Sequence, residues 1–168
     1  GCLGQRYADE LFENIPEVDA IVGKNSFTEI AWVIDEVMKG RRFVYLDEAG
    51  YVPNQPRMLT TPNYMAYLKI AEGCDNRCAY CIIPFIRGPF RSKKREDILE
   101  EAKWLASKGC KELILIAQDV TVYGNDLYGK LVLPELLRDI CKVDGIEWIR
   151  IHYSYPASFP EDVLDQMA

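Results

Sequence analysis

The chain has 168 residues, nearly half of them apolar, so it can bury a real core as one ordinary domain or two partial ones. It holds no apolar run near the roughly 18 residues that a membrane-spanning helix needs, and its net charge of −6 argues against the whole chain acting as a nucleic-acid clamp. Six cysteines without hairpin-like spacing, and no visible signal peptide, fit a reducing cytoplasm better than a disulfide-bonded secreted scaffold.

The opening Gly1-Cys2 in place of a methionine reads as the start of a fragment, and Gly1 to Gly4 as the end of a preceding segment. Ala8, Leu11, Phe12 and Ile15 recur with a helical period, and Pro16 ends that helix. Val18 to Val22 predicts a short buried strand stopped by Gly23. Ser26-Phe27-Thr28-Glu29 predicts a capping box, with the Ser26 hydroxyl accepting from the Glu29 amide. Behind it Ile30, Val33, Ile34, Val37 and Met38 form one apolar stripe, with Gly40 at the helix end. Phe43 to Leu46 predicts a second strand. Residues 1–50 thus read as part of an α/β layer domain. Residues 51–63, with Pro53, Pro56 and Pro62 following Gly50, show no sustained period and read as a linker.

Tyr64 to Ala71 is almost wholly apolar apart from Lys69, which predicts a strand buried on both faces, as in parallel sheets. A helix from about Lys94 to Lys108 buries Ile98, Leu99, Ala102, Leu105 and Ala106 and stops at Gly109. Glu112 to Ala117 is the next strand, with Gln118, Asp119 and Thr121 at its carboxyl end. A polar loop, Gly124 to Lys130, leads to a helix with Pro134 in its first turn and Leu133, Leu136, Leu137, Ile140 and Cys141 on one face. Trp148 to Tyr153 is a third strand, broken by Tyr155-Pro156, and Pro160-Glu161-Asp162 starts a last helix. The alternation over 64–168 predicts parallel strands with right-handed crossovers, amounting to a (β/α) half-barrel whose function lies at the carboxyl ends of its strands.

Between the first of these strands and its helix stands Cys74-Asp75-Asn76-Arg77-Cys78-Ala79-Tyr80-Cys81. A tight loop with this spacing can aim three sulfurs at one point. Three thiolates satisfy three irons of a cubane cluster and leave the fourth open, whereas electron-carrying clusters usually take four cysteines. A structural zinc site also uses Cys-x-x-Cys pairs but wants a fourth ligand, and His152 is far along the chain while Cys110 stands alone. A disulfide leaves one cysteine of three unpaired. An electron-transfer iron–sulfur module and a zinc-stabilised binding module therefore stand beside an enzyme site as alternatives. Residues 73–95 concentrate positive charge: Arg77, Arg87, Arg91, Lys93, Lys94 and Arg95 against the single acid Asp75. That field can stabilise thiolates or attract an acidic partner, with Lys93 and Lys94 read as solvated. His152 reads as a hydrogen-bonded strand histidine, and Cys110 and Cys141 as inert packing thiols.

The pattern Cys74-x-x-x-Cys78-x-x-Cys81-x-x-Pro84-x-x-Arg87-Gly88 resembles the methylthiotransferase branch of the radical S-adenosylmethionine enzymes. The run Gln118 to Gly129, with Trp148-Ile149-Arg150 and Tyr155-Pro156, is similar to the members that modify a small-subunit ribosomal protein. The tRNA-modifying members are the alternative.

The resemblance implies that Cys74, Cys78 and Cys81 hold a radical-generating 4Fe-4S cluster, whose open iron takes the amino and carboxylate groups of S-adenosylmethionine. One electron then splits that cofactor, and the 5′-deoxyadenosyl radical takes a hydrogen from the β-carbon of an aspartate. A second 4Fe-4S cluster, held by three cysteines of the amino-terminal domain, helps to deliver the methylthio group; Cys2 is the one of those three present. On the same resemblance Tyr80 lies near the adenine, Gln118 and Asp119 hold the methionine amino end, and Arg87 pairs with a carboxylate of substrate or cofactor. Residues 1–50 would then be the tail of the amino-terminal methylthiotransferase domain and 64–168 the first half of the radical domain, inactive by themselves. The electron donor stays unnamed and nucleic-acid binding stays open.

Overall fold

The computed structural model of the chain describes residues 1–46, 54 and 57–167. It folds as two compact units, Gly1–Val52 with Phe85–Arg87, and Pro53–Pro84 with Gly88–Ala168. Pro53 and Pro56 of the expected linker, and Gly50 before it, lie outside the described residues.

In the first unit, α1 (Cys2–Arg6) and α2 (Ala8–Asn14) precede β1 (Ala20–Val22), and α3 (Ile30–Met38) leads to β2 (Phe43–Tyr45). Helix α1 stands where the sequence suggested only a trailing segment; five residues are too few to display a helical period. Strands β1 and β2 pair in parallel, Ala20 opposite Phe43 and Val22 opposite Tyr45. The capping box does not form. Asn25 takes the N-cap position of a 3-10 turn over Ser26–Glu29, Glu29 takes that of α3, and neither makes a side-chain cap bond. Gly40 follows α3 with φ +82°, as expected of a glycine stop.

The predicted stripe of α3 is only partly covered. Val33 is buried, while Ile30, Ile34 and Met38 are exposed, Met38 to 81%. Two short strands cannot cover a whole helix face. What they do hold is Trp32, whose ring meets Phe43 and Tyr45 edge-on at 5.6 and 5.2 Å between centroids.

In the second unit β3 (Met65–Lys69) is followed by β4 (Ala71–Glu72) and β5 (Arg91–Ser92), and α4 (Ile83–Arg87) stands between these two in sequence, with Phe85–Arg87 counted in the first unit. Then come α5 (Arg95–Ser107), β6 (Glu112–Ile116), α6 (Asn125–Tyr128), α7 (Leu133–Ile140), β7 (Trp148–Ile151) and α8 (Asp162–Met167). The main sheet has the order β3-β6-β7, all parallel, with Leu68 opposite Leu115 and Leu115 opposite Ile151. This is the expected mixed α/β architecture with a parallel sheet. One face of the sheet is sealed: Ala66, Leu68 and Ile70 meet Ile98, Ala102 and Leu105 of α5 and Leu133, Leu136 and Ile140 of α7 in one buried cluster.

Strand β3 is not buried on both faces, as its apolar run predicted. Ala66 and Leu68 point into the core, but Tyr67 and Lys69 are exposed. The run reads as continuous because Tyr67 is apolar by composition, although it sits on the uncovered face. Central β6 does carry buried residues on both faces, with Leu113, Ile114 and Leu115 in succession. The outer edge of β3 is protected locally, since Arg57 Nη2 donates to the Tyr67 carbonyl at 2.8 Å and pairs with Glu101 of α5 at 3.1 Å.

Candidate functional site

Parallel pairing of β3 with β6 places their carboxyl ends on one side of the sheet. The cysteine loop leaves from the first and Gln118 to Thr121 from the second. The loop is closed at its base by β4 and β5, which pair antiparallel, Ala71 opposite Ser92 and Glu72 opposite Arg91. Two-residue strands leave no periodic signal in a sequence, so this closure was not foreseen.

Gly73 opens the loop with φ +80°. A Cβ on it would lie 2.1 Å from the Pro89 carbonyl oxygen and 2.6 Å from that of Gly88, so two limbs of backbone meet here at a distance only glycine allows. Next to it the Cys74 amide donates to the Gly88 carbonyl at 3.3 Å. The Cys81 amide donates to the Cys78 carbonyl at 2.9 Å, which turns the chain between the last two cysteines. Cys74 is buried, Cys78 and Cys81 are half-buried, and all three are free thiols. Arg77 between them has φ +47°, a region that long side chains rarely enter.

The facing residues divide into two kinds. Asp119 is 1% exposed. Its Oδ2 accepts from Asn76 Nδ2 at 2.8 Å, and its Oδ1 accepts from the Thr121 amide at 3.0 Å and from the Thr121 hydroxyl. Gln118 differs: its Oε1 is buried and accepts no hydrogen bond among the described residues. A buried acceptor left without a donor costs about 1–3 kcal/mol, so this oxygen suits a ligand that brings an N–H. Below them, Asp126 accepts from the Ser92 hydroxyl at 2.6 Å and the Ser92 amide at 2.8 Å, while Ser92 Oγ accepts from the Gly124 amide at 2.8 Å. That knot fastens β5 to the loop that follows β6.

Of the residues singled out in the sequence, the structure brings Cys74, Cys78 and Cys81 onto one loop and joins it to Asp119 through Asn76. The Tyr80 ring is 94% exposed, so it does not anchor the loop by covering apolar surface. Arg87 ends α4, half-buried. Cys2 begins α1 in the first unit, half-buried. His152 continues β7, its amide donating to the Leu115 carbonyl at 3.1 Å. In the sequence, Asn76 and Gly73 are marked only as a short amide side chain between two cysteines and a glycine directly before the first.

The basic stretch is less solvated than expected. Lys93 has a side chain only 13% exposed and pairs with Glu101, and Arg95 pairs with Asp139. Cys110 is the packing thiol predicted. It is 1% exposed, and its Sγ lies 3.1 Å from the Glu112 carbonyl oxygen, with burial pushing its pKa up. Cys141 is exposed instead, since α7 ends at Ile140 and the next residue falls off the buried face. Both lie at the amino ends of β6 and β7, away from the cysteine loop. Among the described residues no three of His, Cys, Asp and Glu converge on a single metal ion. A mononuclear zinc site asks for four ligands around one ion, whereas a cubane spreads its thiolates over several irons.

The fold and this three-thiol loop belong to a recognised class. Residues 68–168 match the Radical SAM superfamily, and the chain belongs to that family. Over nearly all of its length it is also similar to curated proteins named ribosomal protein uS12 methylthiotransferase RimO. It is 52% identical to the one from Thermoanaerobacter sp. (strain X514), over 99% of this chain and 39% of that relative. The corresponding figures are 54%, 98% and 37% for Clostridioides difficile (strain 630), and 51%, 100% and 39% for Acetivibrio thermocellus. The chain therefore spans well under half the length of these relatives.

Proposed function

We propose that the protein carrying this chain is a radical S-adenosylmethionine methylthiotransferase of the cytoplasm, acting on the small-subunit ribosomal protein uS12. Two features support the reading: its similarity to the RimO proteins over the whole chain, and a three-thiol loop at the same end of the sheet as a buried amide oxygen that accepts no hydrogen bond among the described residues. The observation that carries it is Gln118 Oε1, a buried acceptor that meets no donor among the described residues, at the same end of the sheet as Cys74, Cys78 and Cys81.

On this reading the three cysteines are the thiolate ligands of a 4Fe-4S cluster, and Cys2 is one ligand of a second. The donor set fits, since sulfur is the ligand an iron–sulfur cluster takes and the cysteines carry no competing disulfide. When bound, the cluster and S-adenosylmethionine supply one-electron chemistry that yields a carbon-centred radical. Gln118 Oε1 would accept a hydrogen bond from an N–H of the cofactor's amino group and so help to orient it. Tyr80 offers its backbone beside the adenine, and Arg87 a guanidinium for a carboxylate. The uncovered face of β3, with Tyr67, forms part of a wall that holds the target against the cofactor and limits water.

The test is anaerobic reconstitution with iron and sulfide, followed by electron paramagnetic resonance of the reduced cluster with and without S-adenosylmethionine. The expected result is a signal whose shape changes when the cofactor is added. An unchanged signal, or bound zinc with neither iron nor sulfide, overturns the reading. In the full-length protein, methylthiolation of uS12 and not of tRNA is expected by mass spectrometry.

A further inference from the structure

We propose that Asn76 and Asp119 form a clamp that keeps the cysteine loop in its cluster-accepting shape, which makes both of them positioning residues for Cys74, Cys78 and Cys81. The inference rests on the reading of that loop as a cluster site. Asn76 Nδ2 reaches Asp119 Oδ2 at 2.8 Å across 43 residues of chain. From the adjacent position Asp75 Oδ1 accepts from the Phe90 amide at 3.2 Å. The first two residues between Cys74 and Cys78 are thereby tied in two directions, one to the end of β6 and the other to the returning limb of the loop. Arg77 follows directly with its φ of +47°. A bulky residue stays in that region only where its flanks are pinned, and the two ties supply the pinning on its amino-terminal side.

Asp119 is placed for this task rather than for a ligand. It is 1% exposed, and each oxygen already faces a protein donor: Thr121 at Oδ1, Asn76 at Oδ2. A carboxylate only accepts, so the loop must present a donor to it, and the Asn76 amide does so. The neighbours at the end of β6 therefore split the work. Gln118 keeps an oxygen for the cofactor, and Asp119 holds the loop that carries the thiols. Groups that hold metal ligands in place typically change metal affinity by about 10–100-fold when lost.

The test uses N76A, N76D, D119N and the double variant N76D/D119N in the full chain. Three quantities are read: alkylation rate of Cys78 in the metal-free protein, rate of iron loss to a chelator after anaerobic reconstitution, and the resonance change on adding S-adenosylmethionine. N76A is expected to alkylate at Cys78 and to lose iron about 10-fold faster or more. N76D sets two carboxylates face to face and is at least as impaired, whereas D119N is the milder change, because the Asn76 amide can turn over and offer its oxygen to the new NH2 group. The double variant exchanges donor and acceptor across the same gap and recovers most of the lost factor, which a general loss of folding would not do. N76A behaving as the parent in alkylation and iron loss overturns the clamp, as does a double variant no better than its worse single change. If D119N does not fold, N76A decides alone, because Asn76 is an exposed loop residue whose loss leaves the core untouched. Failure of the parent to take up a cluster sinks the functional reading instead, and alkylation of the metal-free protein still decides the clamp.

Discussion

Gly73 shows how little freedom the cysteine loop has at single positions. Its φ of +80° costs any other residue about 1–2 kcal/mol, and an added methyl would strike the Pro89 and Gly88 carbonyl oxygens at 2.1 and 2.6 Å. Backbone atoms cannot step aside as a flexible side chain can. Gly73→Ala is therefore expected to lower stability by more than about 2 kcal/mol and to abolish iron uptake, as read by urea unfolding and by iron content after reconstitution. Full iron uptake with a parent-like unfolding midpoint would show that the loop can open without penalty. At this scale the sequence was legible where chemistry is carried by residue type. Three cysteines at this spacing announce themselves, whereas Gln118 and Asp119 stood out only through the family resemblance. Asn76 did not, because an amide has many uses and its role depends on a carboxylate 43 residues away. The unsolvated state of Lys93 was hidden for the same reason, since Glu101 comes beside it only when α5 has formed.

The helices α5 and α7 lie side by side on the sheet and are joined by Arg95 and Asp139. The Arg95 guanidinium holds the Asp139 carboxyl below its ordinary value, with Lys142 adding to it, and Asp139 in turn raises Arg95. A carboxylate whose folded pKa is depressed contributes stability that is fully present above its unfolded value, near 4, and is lost as pH falls through the folded value. Both partners are partly exposed, so solvent screening limits the contribution to about 1 kcal/mol or less. The Asp139→Asn variant should thus fall slightly below the parent in urea midpoint at pH about 7, and the gap should close as the pH drops below about 4. A gap that stays constant into acid would mean that the charge of Asp139 is not what joins the helices. These helices were legible because their ends are marked, α5 by Gly109 at φ +89° and α7 by Pro134 in its first turn. Some of the shortest elements were not. β4, β5, α1 and the single turn of α6 (Asn125–Tyr128) have too few positions to show a period and carry no apolar run of the kind that marked the other short strands. The capping box failed for a related reason, as a 3-10 turn inserted there moved the helix start to Ile30.

Over the whole chain, the parallel order β3-β6-β7 was readable because apolar runs alternated with helical periods, and the carboxyl-end location of the site follows from that order alone. The uncovered faces were not readable, because composition cannot say which side of a strand or helix meets a partner. The cysteines are divided unequally between the two units. The second holds Cys74, Cys78 and Cys81 on one loop, and the first holds Cys2 at the start of α1. A cubane needs several thiolates from one protein to outlast exchange with small thiols and chelators. One cysteine provides a single attachment, whereas three on a closed loop provide a preformed set whose ordering cost was met in folding. The 168-residue chain should therefore take up about four irons at one site. Cys78→Ala should remove nearly all of that iron, while Cys2→Ser should leave it unchanged, as measured by iron and sulfide content after anaerobic desalting. If Cys2→Ser removed a substantial share, Cys2 would have to be supplying a ligand to an iron site in this chain, and the assignment of the three-cysteine loop as a self-sufficient cluster holder would fall.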